Sequence, residues 1–269
     1  MQKISNNVYV ETGNRGCNTG FVVTREGVVM IDTPMVPAEA KKWRDEIAKF
    51  GPLRYVINGE PHNDHMSGNC YFGGTLVAHE GARKIISAAK VEEYTNMLKM
   101  MAPDSLPLKE EFHYRPPEIT FSQRLNLYLG DHTFQLINLP GHTPYQAVVY
   151  VPEERVVFTS DNVVVGMPFF QQAVPYAWLD SLKQLQQLEV DKVVGGHGNI
   201  CDKSYLQEMS QIVQYWIDTV VSAIQKGMSL EETLQKVTLK DRYPTIDQDE
   251  RMKGIRLMNL THLYEVLKK

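Results

Sequence analysis

The stretch Asn58-Gly59-Glu60-Pro61-His62-Asn63-Asp64-His65 puts imidazoles and carboxylates side by side, directly after the apolar run Tyr55-Val56-Ile57. Packing alone does not explain that density. A dinuclear metal centre needs nitrogen and oxygen donors that converge from a rigid edge, and a strand end supplies such an edge. Three later segments repeat the pattern of an apolar strand ending in a donor: Leu139-Pro140-Gly141-His142, Val157-Phe158-Thr159-Ser160-Asp161 and Val193-Val194-Gly195-Gly196-His197. The candidate ligands are therefore Glu60, His62, Asp64, His65, His142, Asp161 and His197. Two ions ~3.5–4 Å apart lower the pKa of a bound water from ~15.7 to ~7, polarise a carbonyl or phosphoryl oxygen and steady a leaving group. Asp64 is the candidate catalytic residue, orienting the nucleophile and accepting its proton.

A lone histidine is usually packing or surface decoration. His79, His113, His132 and His262 are read that way, with His132 a solvated turn residue and His79 a helix cap or a partner standing behind the ligands. Four histidines at strand ends are not independent accidents.

The elements that must position these donors are legible from period and punctuation. Val8-Tyr9-Val10, Gly20-Phe21-Val22-Val23-Thr24 and Val28-Val29-Met30-Ile31-Asp32 read as strands. Residues 37–50 read as an amphipathic helix with Ala40, Trp43, Ile47 and Ala48 on one side, stopped by Gly51-Pro52. Residues 53–58 form a buried strand that delivers the first donors, 75–79 another strand, and 80–101 one long helix carrying Ile85, Ile86 and Ala89 together. Two β-hairpins follow, one turning at Gly130-Asp131, the other joining 147–151 to 156–159. A helix over 179–188 with Asp180 or Ser181 near its start, a strand at 192–194, and helices over 205–226, 230–237 and 249–267 complete the chain. Ser229-x-x-Glu232 is a capping box. Two similar halves, each ending in donors, predict two facing sheets with helices outside and the site where strand ends of both meet.

Composition sets the outer bounds. The chain has 269 residues, 43% hydrophobic and 22% charged, as expected of a globular fold, and we expect a single domain over 1–269 with a helical C-terminal segment over about 203–269. A formal charge of −4 gives no sign of nucleic acid or an anionic membrane as partner, and no apolar run approaches a membrane span of ~20 residues. If Met1 is the natural start, the absence of an apolar leader predicts the cytoplasm. Cys17, Cys70 and Cys201 contain no CxxC and are read as reduced thiols without a role. There is no G-x-S-x-G, P-loop or G-x-G-x-x-G.

The order of these segments resembles the metallo-β-lactamase superfamily, whose first motif is H-x-H-x-D-H, followed by a His after Pro-Gly, an Asp closing a strand and a His after Gly-Gly or Pro-Gly. The resemblance runs from the hairpin over 20–32 to His197. It implies an α/β, four-layer αββα sandwich with a helical C-terminal tail. It also implies a first metal held by Glu60, His62 and His142, a second held by Asp64, His65 and His197, and Asp161 as bridge. Asp at the bridge is closer to the glyoxalase II and lactonase branches than to β-lactamases with Cys there. No basic cluster in the tail suits a glutathione carboxylate.

Glu60 departs from the motif, where His is usual. Three readings compete: a true ligand, a weak ligand that leaves one working ion, or a proton acceptor at the rim. The first is preferred because a carboxylate reaches as far as an imidazole. Zinc is the leading expectation for the two divalent ions, and the carboxylate admits manganese or iron. The expected activity is attack by a metal-bound hydroxide on an ester, thioester, lactone or lactam bond of a small-molecule substrate. Alternatives are a non-haem iron oxidoreductase of the same fold, a β-lactamase-like side activity, or a non-catalytic metal-binding protein. Tyr145, Phe169, Phe170 and Trp178 are candidates for an apolar substrate wall. The tail could cap the pocket or form a homodimer surface, although its Met209, Ile212, Trp216, Val220 stripe reads as core.

Overall fold

The computed structural model describes residues 1–108 and 111–269. Two sheets face one another. The first has seven strands in the order β1 (Gln2–Lys3), β2 (Val8–Glu11), β3 (Thr19–Thr24), β4 (Gly27–Ile31), β5 (Leu53–Ile57), β6 (Thr75–His79) and β7 (Ile119–Phe121). The second has five: β12 (Lys192–His197), β11 (Val156–Val164), β10 (Ala147–Val151), β9 (His132–Asn138) and β8 (Arg124–Leu129). Hairpin connections make β1–β4 of the first sheet and β8–β11 of the second antiparallel. Pairs β4·β5, β5·β6, β6·β7 and β11·β12 are parallel, so several strands finish at the same rim.

Between the sheets lies an apolar layer built from both, including Val10, Val29 and Ile57 from one side and Phe134, Val149, Phe158 and Val194 from the other. The outer face of the first sheet is covered by α1 (Pro37–Ile47) and α4 (Val91–Met101), through Trp43, Ile47, Tyr94 and Leu98. The outer face of the second is covered by α5 (Pro175–Leu185), α6 (Tyr205–Gln225) and α8 (Glu250–Leu267), through Trp178, Leu182, Trp216, Val220 and Leu260. The result is the αββα sandwich expected. α7 (Leu230–Lys236) is capped by Ser229, where both reciprocal bonds of the capping box form. No helix among the described residues is long and apolar enough to cross a membrane.

Several expectations need correction. The helix over 80–101 is two helices, α3 (Glu80–Ala88) and α4, because Ala89 and Lys90 are extended, at ψ 143° and 139°. Neither Pro nor Gly marks the break. It lets Tyr94 and Leu98 enter the outer core, where the Tyr94 hydroxyl donates to the Met35 carbonyl, while Ile85 stays exposed. The helix over 179–188 starts at Pro175, whose fixed φ and missing N–H suit a first turn, and ends at Leu185. Ser181 lies inside it and donates to the Pro140 carbonyl at 2.7 Å. α1 ends at Ile47, leaving Ala48 exposed. His132 is buried rather than solvated: its Nδ1 lies 3.0 Å from Asp131 and its Nε2 3.0 Å from Glu154.

Candidate metal centre

The donors gather at the rim where the parallel strands end. After β5 the chain passes Asn58, Gly59 and Glu60 and enters a single turn of helix, α2 (Asn63–Met66), with His62 as its N-cap. Backbone bonds lock that turn. Thr33 N–H and Oγ1 both donate to the His65 carbonyl, at 2.8 and 3.0 Å, and Asn58 Nδ2 donates to it at 3.3 Å. His142 follows β9 through Leu139-Pro140-Gly141. Its N–H donates to Asn162 Oδ1 at 3.0 Å. β11 does not stop at Asp161 but continues to Val164. A register shift around Ser160, at φ 42°, turns Asp161 into the site from mid-strand. His197 is the last residue of β12.

Glycine makes two close approaches feasible. A Cβ at Gly196 would strike the Asp161 carboxylate, and one at Gly59 would strike Ser160 Oγ.

Two donor groups result. In the first, Glu60 Oε2 lies 2.6 Å from His62 Nδ1 and 3.5 Å from His142 Nε2, with His62 Nδ1 and His142 Nε2 3.1 Å apart. In the second, Asp64 Oδ2 lies 3.2 Å from His197 Nε2 and 3.7 Å from His65 Nε2. Asp161 stands between them: Oδ1 is 3.3 Å from both His65 Nε2 and His197 Nε2, and Oδ2 is 3.7 Å from His142 Nε2. All seven residues named from the sequence are therefore brought together. His62 and His197 keep 29% and 30% of their side chains exposed while Glu60 keeps none, so the cluster opens to solvent on the His62–His197 side.

The rings are oriented from behind. His142 Nδ1 donates to the Phe169 carbonyl at 2.7 Å, which leaves Nε2 with its lone pair toward the cluster. His65 Nδ1 lies 2.9 Å from Asp32 Oδ2 and is fixed the same way. Glu60 Oε1 and Oε2, His65 Nε2 and Asp161 Oδ1 are buried and make no hydrogen bond, although they lie close to one another. Buried polar atoms are ordinarily paired. Atoms that converge without bonding fit a shared cation at the point they face, and these groups lie close enough together to hold one.

Electrostatics point the same way. Burial disfavours charge on each member, but mutual attraction outweighs it. His62 is raised to about 9 by Glu60 and His197 to about 10 by Asp161 and Asp64. His65 is raised too, by the Glu60, Asp64 and Asp161 carboxylates that face it. The Glu60, Asp64 and Asp161 carboxyls are held below their ordinary range by the facing imidazoles. A set of imidazoles and carboxylates that keeps its charges while buried is suited to cation binding.

Residues 12–197 match the family described as the metallo-beta-lactamase superfamily. This chain belongs to that superfamily. Among relatives, it is 24% identical over 229 residues to "Metallo-beta-lactamase type 2" of Elizabethkingia meningoseptica, covering 79% of this chain and 84% of that protein. It is 22% identical over 259 residues to "Beta-lactamase-like protein 2 homolog" of Caenorhabditis elegans, covering 95% and 78%. Among solved structures, a metallo-beta-lactamase family protein from Thermus thermophilus superposes with a TM-score of 0.69 at 16% identity, over 97% of this chain and 94% of that one. A sec-alkylsulfatase from Pseudomonas sp. superposes with a TM-score of 0.74 at 14% identity, over 98% of this chain but 49% of that one.

Two members of the expected substrate wall, Phe170 and Trp178, are corrected in this superfamily member. Phe170 and Trp178 are fully buried, packed on each other at 5.1 Å, and Trp178 Nε1 donates to the Asn162 carbonyl. They expose no surface to a ligand because they fill the layer between β11 and the outer helices. Phe169 acts through its carbonyl on His142 and packs its ring against the same layer. Tyr145 is half-buried, its ring stacked on His79 at 5.4 Å. His79 caps α3, accepting from Gly81 N–H at 3.0 Å.

Sequence reading missed Asp32, Ser160, Asn162 and Cys17. Asp32 carried the same signal as Asp161, an acid at the end of an apolar strand, without a neighbouring donor to draw attention. Cys17 is buried beside Asp32 and His65, and burial pushes its thiol up to about 12. Nothing in its local sequence foretells that position.

Proposed function

We propose that this protein is a dinuclear metal-dependent hydrolase acting on an ester, thioester, lactone or lactam bond of a small molecule. One observation carries the reading: two donor groups meet at Asp161 around buried atoms that have no other partner. Glu60, His62 and His142 would hold one ion, Asp64, His65 and His197 the other, with Asp161 between. Membership of the superfamily supports metal-dependent hydrolysis as the reaction class. The relatives' names, which include a β-lactamase and a "Linear primary-alkylsulfatase" matched over 48% of its length, leave the bond open.

Two divalent ions, when bound, make water acidic and polarise the bond to be cut. The protein's own contribution is orientation and proton handling. Asp64 lies on the solvent side, one fifth exposed, where its carboxylate can accept the proton of an attacking water and align it. His62 and His197 flank the opening through which a substrate enters. Asp32 and the Phe169 carbonyl hold the ring tautomers that leave Nε2 of His65 and His142 free.

The test joins metal content to turnover. Elemental analysis of purified protein should find two ions per chain, and a panel of ester, thioester, lactone, β-lactam and sulfate-ester substrates should find turnover. Asp64→Ala should lower the rate by about 10²–10⁴. Near-wild-type turnover in that variant would refute its role. Glu60 makes the donor set rich in oxygen, and that favours a second reading, an iron oxidoreductase. Redox-active iron with oxygen consumption and no hydrolysis would select it, whereas bound ions without any turnover would select a metal-binding protein.

A further inference from the structure

We infer that Glu60 is a second bridge, its carboxylate spanning both donor groups as Asp161 does, so that the centre is closed by two carboxylates and fills its two positions together. The inference rests on the reading above that these side chains hold ions.

The geometry is symmetric about the centre. Glu60 Oε2 faces the first group, 2.6 Å from His62 Nδ1 and 3.5 Å from His142 Nε2, and Oε1 faces the second, 3.1 Å from His65 Nε2. Asp161 does the same from the other sheet, Oδ2 toward His142 and Oδ1 toward His65 and His197. The close donor groups accordingly include Glu60 twice, once with His62 and His142 and once with His65 and Asp161.

Chemistry requires something at Oε1. Glu60 has no exposed side-chain surface, and neither of its oxygens accepts a hydrogen bond. If it served the first ion alone, Oε1 would remain a buried anionic oxygen without a partner, which is strongly unfavourable. With an ion bound, His65 would be a neutral ligand whose one ring proton sits on Nδ1 toward Asp32, so its Nε2 could not donate to Oε1. Once an ion has displaced the second ring proton, two lone pairs 3.1 Å apart would need a positive centre between them. An imidazole at position 60 could offer its facing nitrogen to one ion only, whereas a carboxylate has an oxygen for each.

Two consequences follow. Three carboxylates against two divalent ions leave a net charge one unit lower than histidine at 60 would. Each bridging oxygen is also used fully only when both ions are present, so uptake of one favours uptake of the other.

Diffraction from crystals of the zinc-loaded protein, with anomalous data at the zinc edge, reads the bridge directly. The expected result is one Glu60 oxygen within about 2.0–2.2 Å of each ion. Both oxygens on one ion, or Oε1 turned from the second, overturns the proposal. Native mass spectrometry of apoprotein given substoichiometric Zn²⁺ reads the coupling in solution. In wild type the second ion should bind more tightly than independent sites allow, by a factor in the range of about 5–150. That factor should fall severalfold in Glu60→His, and likewise in the near-isosteric Glu60→Gln should the histidine variant misfold. Identical filling in wild type and variants overturns the bridge alone. A wild-type protein that takes up no divalent ion overturns the metal-site reading and the bridge with it.

Discussion

Asp32 holds His65 from behind: its Oδ2 lies 2.9 Å from the ring Nδ1. The same oxygen accepts from Ser160 Oγ at 2.6 Å, and Oδ1 accepts from Gly59 N–H at 2.8 Å. One buried carboxylate thus ties the end of β4 to the first donor stretch and to the opposite sheet. Asp32→Asn should keep the fold but weaken metal affinity by about 10–100-fold, the usual effect of removing a group that orients a ligand. Competition with a chromogenic chelator measures it; unchanged affinity would show that His65 needs no support from Asp32.

Metal uptake should strengthen as pH rises. His62 stands at about 9 and His197 at about 10, so both carry protons at neutral pH that an ion must displace. Below those values the apparent affinity should fall by about tenfold per pH unit for each proton displaced. Chelator competition between about pH 6 and 9 would reveal the slope. A flat profile would mean that the imidazoles are neutral before the ion arrives.

Glu154 should support acid stability. Burial alone would raise its carboxyl. Hydrogen bonds from Ser5 (2.6 Å), His132 (3.0 Å) and Asn7 (2.7 Å to Nδ2, 3.1 Å to the backbone N–H) outweigh that and bring it down to about 2. Because the folded value lies below the unfolded one, the stabilisation is present above the ordinary carboxylate range and is lost as pH falls through about 2. Glu154→Gln should lower stability at neutral pH by roughly 2–3 kcal/mol and flatten the acid limb of the stability curve. Urea unfolding at several pH values tests this, and parallel curves for wild type and variant would count against it.

Gly196→Ala should damage the centre selectively. The added methyl meets the Asp161 carboxylate and backbone, so Asp161 must move or the strands must part. Overpacking of this kind costs about 1–3 kcal/mol. Circular dichroism should show the sandwich intact while elemental analysis shows ions lost. Full occupancy in the variant would indicate that Asp161 can shift without consequence.

Much of this was readable along the chain. The seven donors, the two sheets, the hairpin at Gly130-Asp131 and the cap at Ser229 each rest on neighbours in sequence, where period, turn chemistry and residue type act locally. Misreadings occurred where distant contacts overrule local preference. The break at Ala89-Lys90 contains good helix formers and exists because Tyr94 and Leu98 find the outer core. His132 stands at a turn yet is buried, because Glu154 and Asp131 reach it from both sides. Phe170 and Trp178 follow the site in sequence but turn away from it, into the layer beneath the outer helices.

By itself the sequence determined which donors this protein possesses and that strand ends would carry them, since a ligand's chemistry and a strand's period are properties of short segments. Tertiary structure alone decided how the donors divide around the centre and what stands behind each ring. Glu60 faces both groups, and Asp32 lies behind His65, because residues far apart in the chain become neighbours only when the two sheets close on one another. Burial between those sheets removes the water that would otherwise satisfy each charge, and so makes every polar atom's direction matter.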